Sequence, residues 1–558
     1  MTSTARAIID LDVDSARRHR PLAAIEIDGH AAEDRALTHV WNECVGAGRA
    51  NEALRADWRE HFTEAVQTLG MRSVRFHGLF HDDMFVYRVR DGGGFGPDSA
   101  LERERHTFSY VDKVFDFILA SGARPFVELG FMPRELATDH ATVFWWGAHA
   151  SPPNDMAAWV RLVSATVEHW IGRYGLDEVR RWKFEVWNEP NLVPHFWTGT
   201  KTQYFELYAA TARAIKAIHP DLQVGGPSTS VFVPDSRYDG ETEDRDVQHA
   251  TAAATDVDAL EWRPVWIEEF LEWCAARDLP VDFVTTHVYP TDYAYAVSGK
   301  ATLISRYADA TRDDLALLRR LVAAGPYPHA EVHITEWSTT PSSRDSIHDT
   351  VFAATYITRA YLQCTDLAES ISYWTFTDVF EEGGAGIGPF HGGFGVVNEQ
   401  GIRKPTFHAF AALARLGDRR LLSTEHGVLT GDSSSGAVSG LFFNYPDEMG
   451  LQSVGSRTSY AATRELRERG PSRRIRHRVR GLVPGTAFLV EVVDLDHGDV
   501  AEAWHRMGEP LNLSPAQTAS LREVAEGLRR FTLTADADGA LDLDLHLQPW
   551  AVASLRQA

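Results

Sequence analysis

The chain has 558 residues, 44% of them hydrophobic and 24% charged. That is ample for one large core plus a smaller one, and the opposite of a disordered composition. A formal net charge of −23 argues against nucleic acid and against an anionic membrane surface as partners. Cys44, Cys274 and Cys364 are far apart and form no C-x-x-C pair, so neither a disulfide framework nor a zinc site is expected. The first residues lack a basic start followed by an apolar core, and no apolar run approaches a membrane span. The expectation is a reduced, soluble, cytoplasmic protein.

Residues 1–30 hold one short apolar run, Leu22-Ala-Ala-Ile-Glu-Ile27, which cannot make a domain alone and is expected to join a sheet built elsewhere. From residue 31 to 416 short apolar runs alternate with amphipathic stretches. The strand candidates are Ser73–Phe76, Pro125–Leu129, Lys183–Trp187, Gln223–Gly225, Val281–Thr286, Glu331–Thr335 and Ser370–Trp374, with an eighth placed at Thr38–Asn42. Between them Tyr110–Ser121, Ala157–Tyr174, Tyr204–His219, Trp266–Ala276 and Phe352–Cys364 carry apolar residues at three- and four-residue spacing. Eight strand–helix units predict a (β/α)8 barrel of the α/β class, with its active site at the C-terminal ends of the strands. Val231–Arg263 interrupts the rhythm with nine acidic residues against three arginines. It reads as an acidic insertion, either a lid or a solvated loop. From 417 to 558 short β-like runs between turn residues predict an all-β sandwich and tail. Within it Arg474, Arg476, Arg478 and Arg480 alternate, as expected of a half-exposed edge strand.

Polar residues then gather where the barrel strands end: His77, Glu128, Asn188-Glu189, His287-Val-Tyr289, Glu336-Trp337, and Trp374 leading to Asp378, Glu381 and Glu382. Glu189 follows the aromatic run Trp182–Trp187 and precedes a proline, so it sits where a buried strand becomes a loop. Glu336 is expected to stand across the barrel mouth from it. Two carboxyl groups flanking one bond are what glycoside hydrolysis requires, with no metal and no cofactor. Repulsion between neighbouring carboxylates raises the pKa of the one that must donate a proton. His329-x-Glu331-x-His333 has metal-ligand residue types but lies ahead of the rim, and the glycine-rich Asp91–Gly96 lacks the strand-to-helix setting of a phosphate loop.

The residues named so far sit in segments that resemble glycoside hydrolase family 39, whose best-known members are β-xylosidases. Those segments are Arg75-Phe-His-Gly-Leu-Phe-His-Asp-Asp83, Pro125-Phe-Val-Glu-Leu-Gly-Phe-Met-Pro133, Phe184-Glu-Val-Trp-Asn-Glu-Pro-Asn-Leu192, Val224-Gly-Gly-Pro227, His333-Ile-Thr-Glu-Trp337, Ser372–Glu382 and Phe390-His-Gly-Gly-Phe-Gly395. Trp504-His-Arg-Met-Gly-Glu-Pro510 in the tail adds to them. The resemblance implies a barrel with an accessory β-sandwich and a retaining mechanism, with Glu189 as acid/base and Glu336 as nucleophile. It implies that Asn188 meets the substrate 2-hydroxyl, and that His77, His287, Tyr289, Glu381 and Glu382 line the terminal-sugar subsite. Phe131, Phe196, Trp197 and Trp374 are implied as ring platforms. The expected substrate is a small xylo-oligosaccharide cut from its non-reducing end. A glucoside, galactoside, arabinoside or iduronide, or sugar binding without cleavage, are the alternatives. Acids rather than Lys or Arg at the ends of strands six and eight favour a neutral pentose over a uronide. The sandwich and tail leave a homo-oligomer open.

Overall fold

The computed structural model describes residues 21–89, 104–230, 233–234, 240–242, 262–295, 301–446, 459–467 and 469–558. Eight parallel strands close into a barrel: β1 Val45–Arg49, β2 Ser73–His77, β3 Arg124–Leu129, β4 Lys183–Val186, β5 Gln223–Thr229, β6 Phe283–His287, β7 Glu331–Trp337 and β8 Ser370–Tyr373. Each is followed by a helix: α1 Ala56–Leu69, α2 Ser109–Ala120, α3 Met156–Tyr174, α4 Lys201–Ile218, α5 Val265–Ala275, α6 Ala310–Ala324, α7 Val351–Cys364 and α8 Pro405–Ala414.

Local chemistry sets several helix ends. Asp155 caps α3 by accepting from the Ala157 and Ala158 amides, and α3 stops at Gly175. Thr200 and Gln203 form a reciprocal capping box at the start of α4. The base of the barrel is plugged by the rings of Phe126, Phe283 and His333, with centroids 5.6 to 5.7 Å apart. Two residues further along the same strands the interior turns polar, at Glu128 and Thr335.

The first strand differs from expectation. Thr38–Asn42 is not a strand; β1 is Val45-Gly-Ala-Gly-Arg49, whose glycines read as a turn. Their smallness has a packing reason. A Cβ on Gly46 would lie 2.2 Å from the Trp374 ring, and one on Gly48 would lie 2.3 Å from the Glu52 carboxylate.

Beyond the barrel, two antiparallel sheets pack face to face around a second core that includes Ile27, Leu429, Phe442, Val479, Phe488 and Leu545. Of their strands, β9 Arg419–Thr424, β10 Gly427–Gly431, β11 Val438–Phe443, β13 Ala487–Val493, β14 Arg529–Thr534 and β16 Val552–Gln557 share the larger sheet with Arg35–Ala36. The smaller sheet runs His30–Ala31, Glu26–Ile27, β12 Arg473–Arg480 and β15 Leu541–Leu547. The arginine-rich β12 is therefore not an edge strand. Glu26–Ile27 pairs with its C-terminal end, and Arg474 and Arg478 pair across to Asp544 and Asp542 on β15. The N-terminal segment stays with the sandwich as far as Ala36, past residue 30.

Two tail helices, α9 Val500–Arg506 and α10 Pro515–Ala525, return to the barrel. Val500, Trp504, Leu521 and Ala525 enclose Phe390 and Ile402 of the long segment between β8 and α8. Lys404 pins the same segment from below. Its ammonium is wholly buried, 2.6 Å from both Asp349 and Asp378, and donates to the Gly393 carbonyl. Removing one partner of such a cluster leaves buried charge uncompensated, so Lys404→Met is expected to cost about 3–5 kcal/mol. Urea unfolding of the variant beside the wild type measures this; an unchanged midpoint would refute it.

Candidate active site

The centre of the site is a residue that the sequence-based reading passed over. Arg75, on β2, points into the barrel and is fully buried. Its Nε donates to Glu185 Oε2 at 2.6 Å, its Nη1 to Glu336 Oε1 at 2.8 Å, and its Nη2 to Asn188 Oδ1 at 2.8 Å. Glu128 Oε2 is 2.9 Å from Nη2 as well. One guanidinium thus joins β2, β3, β4 and β7. Burial opposes its charge, but Glu185, Glu128 and Glu336 together raise its pKa. Glu185, burial notwithstanding, is lowered by Arg75 and accepts from the Thr335 hydroxyl at 2.8 Å.

Thr335 and Glu336 are consecutive, yet both turn inward, Thr335 to Glu185 and Glu336 to Arg75. A regular strand forbids that, because successive side chains alternate faces. The register slips between Ile334 and Trp337 against β8, and between Thr286 and His287 against Glu336 on β7. The irregularity swings Glu336 into the mouth. A comparable distortion serves Glu189. Trp187 and Glu189 both adopt left-handed backbone, with φ of 74° and 46°, and the Glu189 amide is tied to the Ser228 carbonyl at 2.7 Å. Non-glycine residues hold such conformations only when their surroundings impose them.

Glu189, His287 and Glu336 meet at the mouth, each offering one atom within 4.8 Å of the others. β4 and β7 are separated by only two strands around the ring rather than diametrically opposed, which helps bring the two carboxyl groups that close. His287 Nδ1 is 2.7 Å from Glu189 Oε1, and Tyr289 donates to Glu336 Oε2 at 3.2 Å. Burial pushes His287 down to about 4, so it is neutral beside Glu189. His77 is the reverse: burial opposes its charge, but Glu128, 2.6 Å from Nδ1, carries it up to about 10. The other His77 nitrogen faces Glu336 at 3.4 Å and Glu382 at 3.5 Å. Glu382 itself is pushed by burial up to about 7, with His77 pulling the other way.

The remaining predicted residues divide. Trp374 lies against His77, with ring centroids 4.8 Å apart, and against the Arg75 guanidinium at 5.8 Å. Phe131 and Phe196 stack on each other, and Phe131 also packs edge-on to Trp187. Trp197 is not a platform. It is fully buried behind Trp187, with its indole N–H donated to the Thr200 carbonyl. The Glu381–Glu382 pair is split. Glu382 faces the site, whereas Glu381 is held by Arg49 and Arg55, and its amide donates to the buried Glu52 carboxylate at 2.8 Å. Glu331 and His333 pair with each other at 2.9 Å and Glu331 also with Lys183, near the base plug and away from the mouth. The proposed lid 231–263 and the glycine-rich 91–96 lie mostly or wholly outside the described residues. A signal for Arg75 was present in the sequence: Val74-Arg-Phe76 and Phe184-Glu-Val186 place opposite charges mid-strand, where a barrel turns inward.

Two carboxyl groups at this separation, over a rigid polar floor at the C-terminal mouth of a (β/α)8 barrel, define a glycoside hydrolase of the kind that retains anomeric configuration. Inverting pairs stand about 6.5–9.5 Å apart to admit water. The chain belongs to glycosyl hydrolases family 39, whose model matches residues 23–239 and 257–542. A β-xylosidase of Geobacillus stearothermophilus is 35% identical over 84% of this chain and 83% of its own. A β-xylosidase of Caldicellulosiruptor saccharolyticus is 39% identical over 69% of this chain and 70% of its own. Among solved structures, a monomeric β-xylosidase from Caulobacter crescentus CB15 superposes with a TM-score of 0.77 at 31% identity, covering 94% of this chain and 97% of that one.

The charge on His77 has a consequence for stability. Its folded pKa of about 10 exceeds the ordinary 6.5, so its contribution is complete below 6.5 and is lost as pH rises through about 10. The difference in melting temperature between wild type and His77→Gln is therefore expected to be widest in mild acid and to narrow toward pH 10. A constant or widening difference in a calorimetric pH series would refute the assignment.

Proposed function

We propose that the protein is an exo-acting β-xylosidase that releases xylose from the non-reducing ends of short xylo-oligosaccharides by double displacement. The observation that carries the reading is the Glu189–Glu336 pair, its oxygens within 4.8 Å, one held by neutral His287 and the other by Arg75 and Tyr289.

In the first step Glu336 attacks the anomeric carbon while Glu189 gives its proton to the glycosidic oxygen. The leaving sugar departs as an alcohol, and an ester links C1 to Glu336. In the second, water attacks C1 as the ionised Glu189 takes its proton, and the ester bond breaks to restore the Glu336 carboxylate. Arg75 occupies the Asn188 carbonyl oxygen, which leaves the amide N–H2 to meet the 2-hydroxyl, where contacts strengthen in an oxocarbenium-like transition state. His77 and Glu382 serve the remaining hydroxyls. With its pKa near 7, the Glu382 carboxyl can donate as well as accept.

The arginines of this wall support a neutral sugar. Arg49 and Arg55 both pair with Glu381, so their charge is met inside the protein. The similarity to two β-xylosidases over most of the chain supports the pentose in particular. Three buried free cysteines fit the reducing cytoplasm as the place of reaction.

Nitrophenyl β-xyloside, glucoside, galactoside, arabinoside and iduronide tested in parallel decide the sugar. The xyloside is expected to lead in kcat/KM by at least about tenfold. Folded protein that leaves the xyloside uncut would overturn the substrate. Glu336→Gly is expected to lose turnover and to recover it with azide, yielding the xylosyl azide of inverted configuration. A failure of azide rescue removes Glu336 as the nucleophile.

A further inference from the structure

A short hairpin, Thr142–Val143 paired with Ala148–His149, follows β3 and carries three aromatic residues in a row at its tip. Two of them turn toward the site. Phe144 stacks on His77 with ring centroids 5.5 Å apart, and Trp146 stacks on Phe144 at 5.4 Å while lying under the Arg49 guanidinium. Trp145, between them, is 70% exposed. Its position is nevertheless fixed, because its amide donates to the carbonyl of Glu382 at 2.7 Å. That anchors it one residue's breadth from a carboxyl group that faces His77. Its indole also rests beside Gly384, where an added Cβ would meet Cγ and Cδ1 at 3.8 Å.

Packing gives no reason for this indole. Trp is highly buried on average, and leaving most of one in water forgoes its contribution to a core. Trp58, Trp159, Trp187 and Trp197 are fully buried, whereas Trp145 is the most exposed tryptophan among those whose burial is described. An enzyme that removes terminal sugars closes the pocket around one ring and must let the rest of the chain leave toward solvent.

We propose that Trp145 is the platform on which the second sugar of the substrate stacks, immediately outside the terminal-sugar pocket. The inference rests on the xylosidase reading above. The ligand is a pyranose ring whose C–H face lies on the indole. The hydrogen bond from Trp145 to Glu382 ties this platform to the residue that senses the first ring. Ile387 and Leu511, 78% and 58% exposed, add apolar surface to the loop from Gly383 to Gly388, with Leu511 lying against Gly388.

The test compares two substrates on Trp145→Ala. β-Xylosyl fluoride fills only the terminal subsite, whereas xylobiose needs both. The variant is expected to lose about tenfold in kcat/KM on xylobiose, mainly through KM, and to stay within about twofold of wild type on the fluoride, with Trp145→Phe keeping most of the xylobiose activity. Equal losses on both substrates would make Trp145 part of the first pocket and overturn the proposal. No loss on xylobiose would also overturn it, as would a change of oligomeric state on size exclusion without a shift in KM for xylobiose. Wild-type protein inactive on both substrates would overturn the xylosidase reading itself.

Discussion

The constraint on which the site depends is the burial of one guanidinium. Arg75 has no access to water, and a cation in that position is tolerable only if its donors find partners and its charge is met. The barrel meets both needs with Glu128, Glu185, Glu336 and the Asn188 amide, taken from three other strands. The converse matters as much. Three carboxylates converging in a dry barrel would repel one another without a cation among them. Arg75 therefore ties these groups together, and it orients the Glu336 side chain, together with Asn188, before any substrate arrives.

Around this floor the rim is zoned by protonation. Two histidines a few ångströms from Glu336 are held in opposite states by their neighbours. His77, joined to Glu128, stays charged to about pH 10, and His287, buried beside Glu189, stays neutral down to about 4. The placement follows the chemistry. A fixed positive charge sits at the wall where Glu336 and Glu382 both face it. A neutral imidazole sits beside Glu189, 2.7 Å from its carboxyl oxygen.

Much of this was legible in the sequence because barrels put chemistry at strand ends. Seven of the eight strands announced themselves as apolar runs, and Glu189 and Glu336 each followed one. What stayed hidden was what depends on partners distant in the chain. β1 hid because Gly46 and Gly48 are chosen for the Trp374 ring and the Glu52 carboxylate, contacts that no local pattern records. Arg75 hid because a charge in a strand reads as solvent-facing until a closed barrel turns it inward. Trp197 misled for the opposite reason: an aromatic residue near a catalytic motif resembles a platform, and only burial behind Trp187 shows it to be core. Glu381 and Glu382 are neighbours with one chemistry and two duties, divided by arginines more than 300 positions upstream.

The wall that bears Glu382 is the part of the pocket least secured by the barrel itself. β8 ends at Tyr373, and α8 begins only at Pro405. A loop of that length would ordinarily be free to move. Here it is fixed from three directions. Lys404 draws Asp378 and the Gly393 carbonyl inward. Glu52, in the turn that follows β1, accepts from the Glu381 amide. The tail helices α9 and α10 bury Phe390 and Ile402 from outside. The last of these is inserted between β13 and β14 of the β-sandwich, so the accessory domain is not an appendage to the barrel. By returning two helices across the loop after β8, it completes the wall that carries Glu382 beside His77.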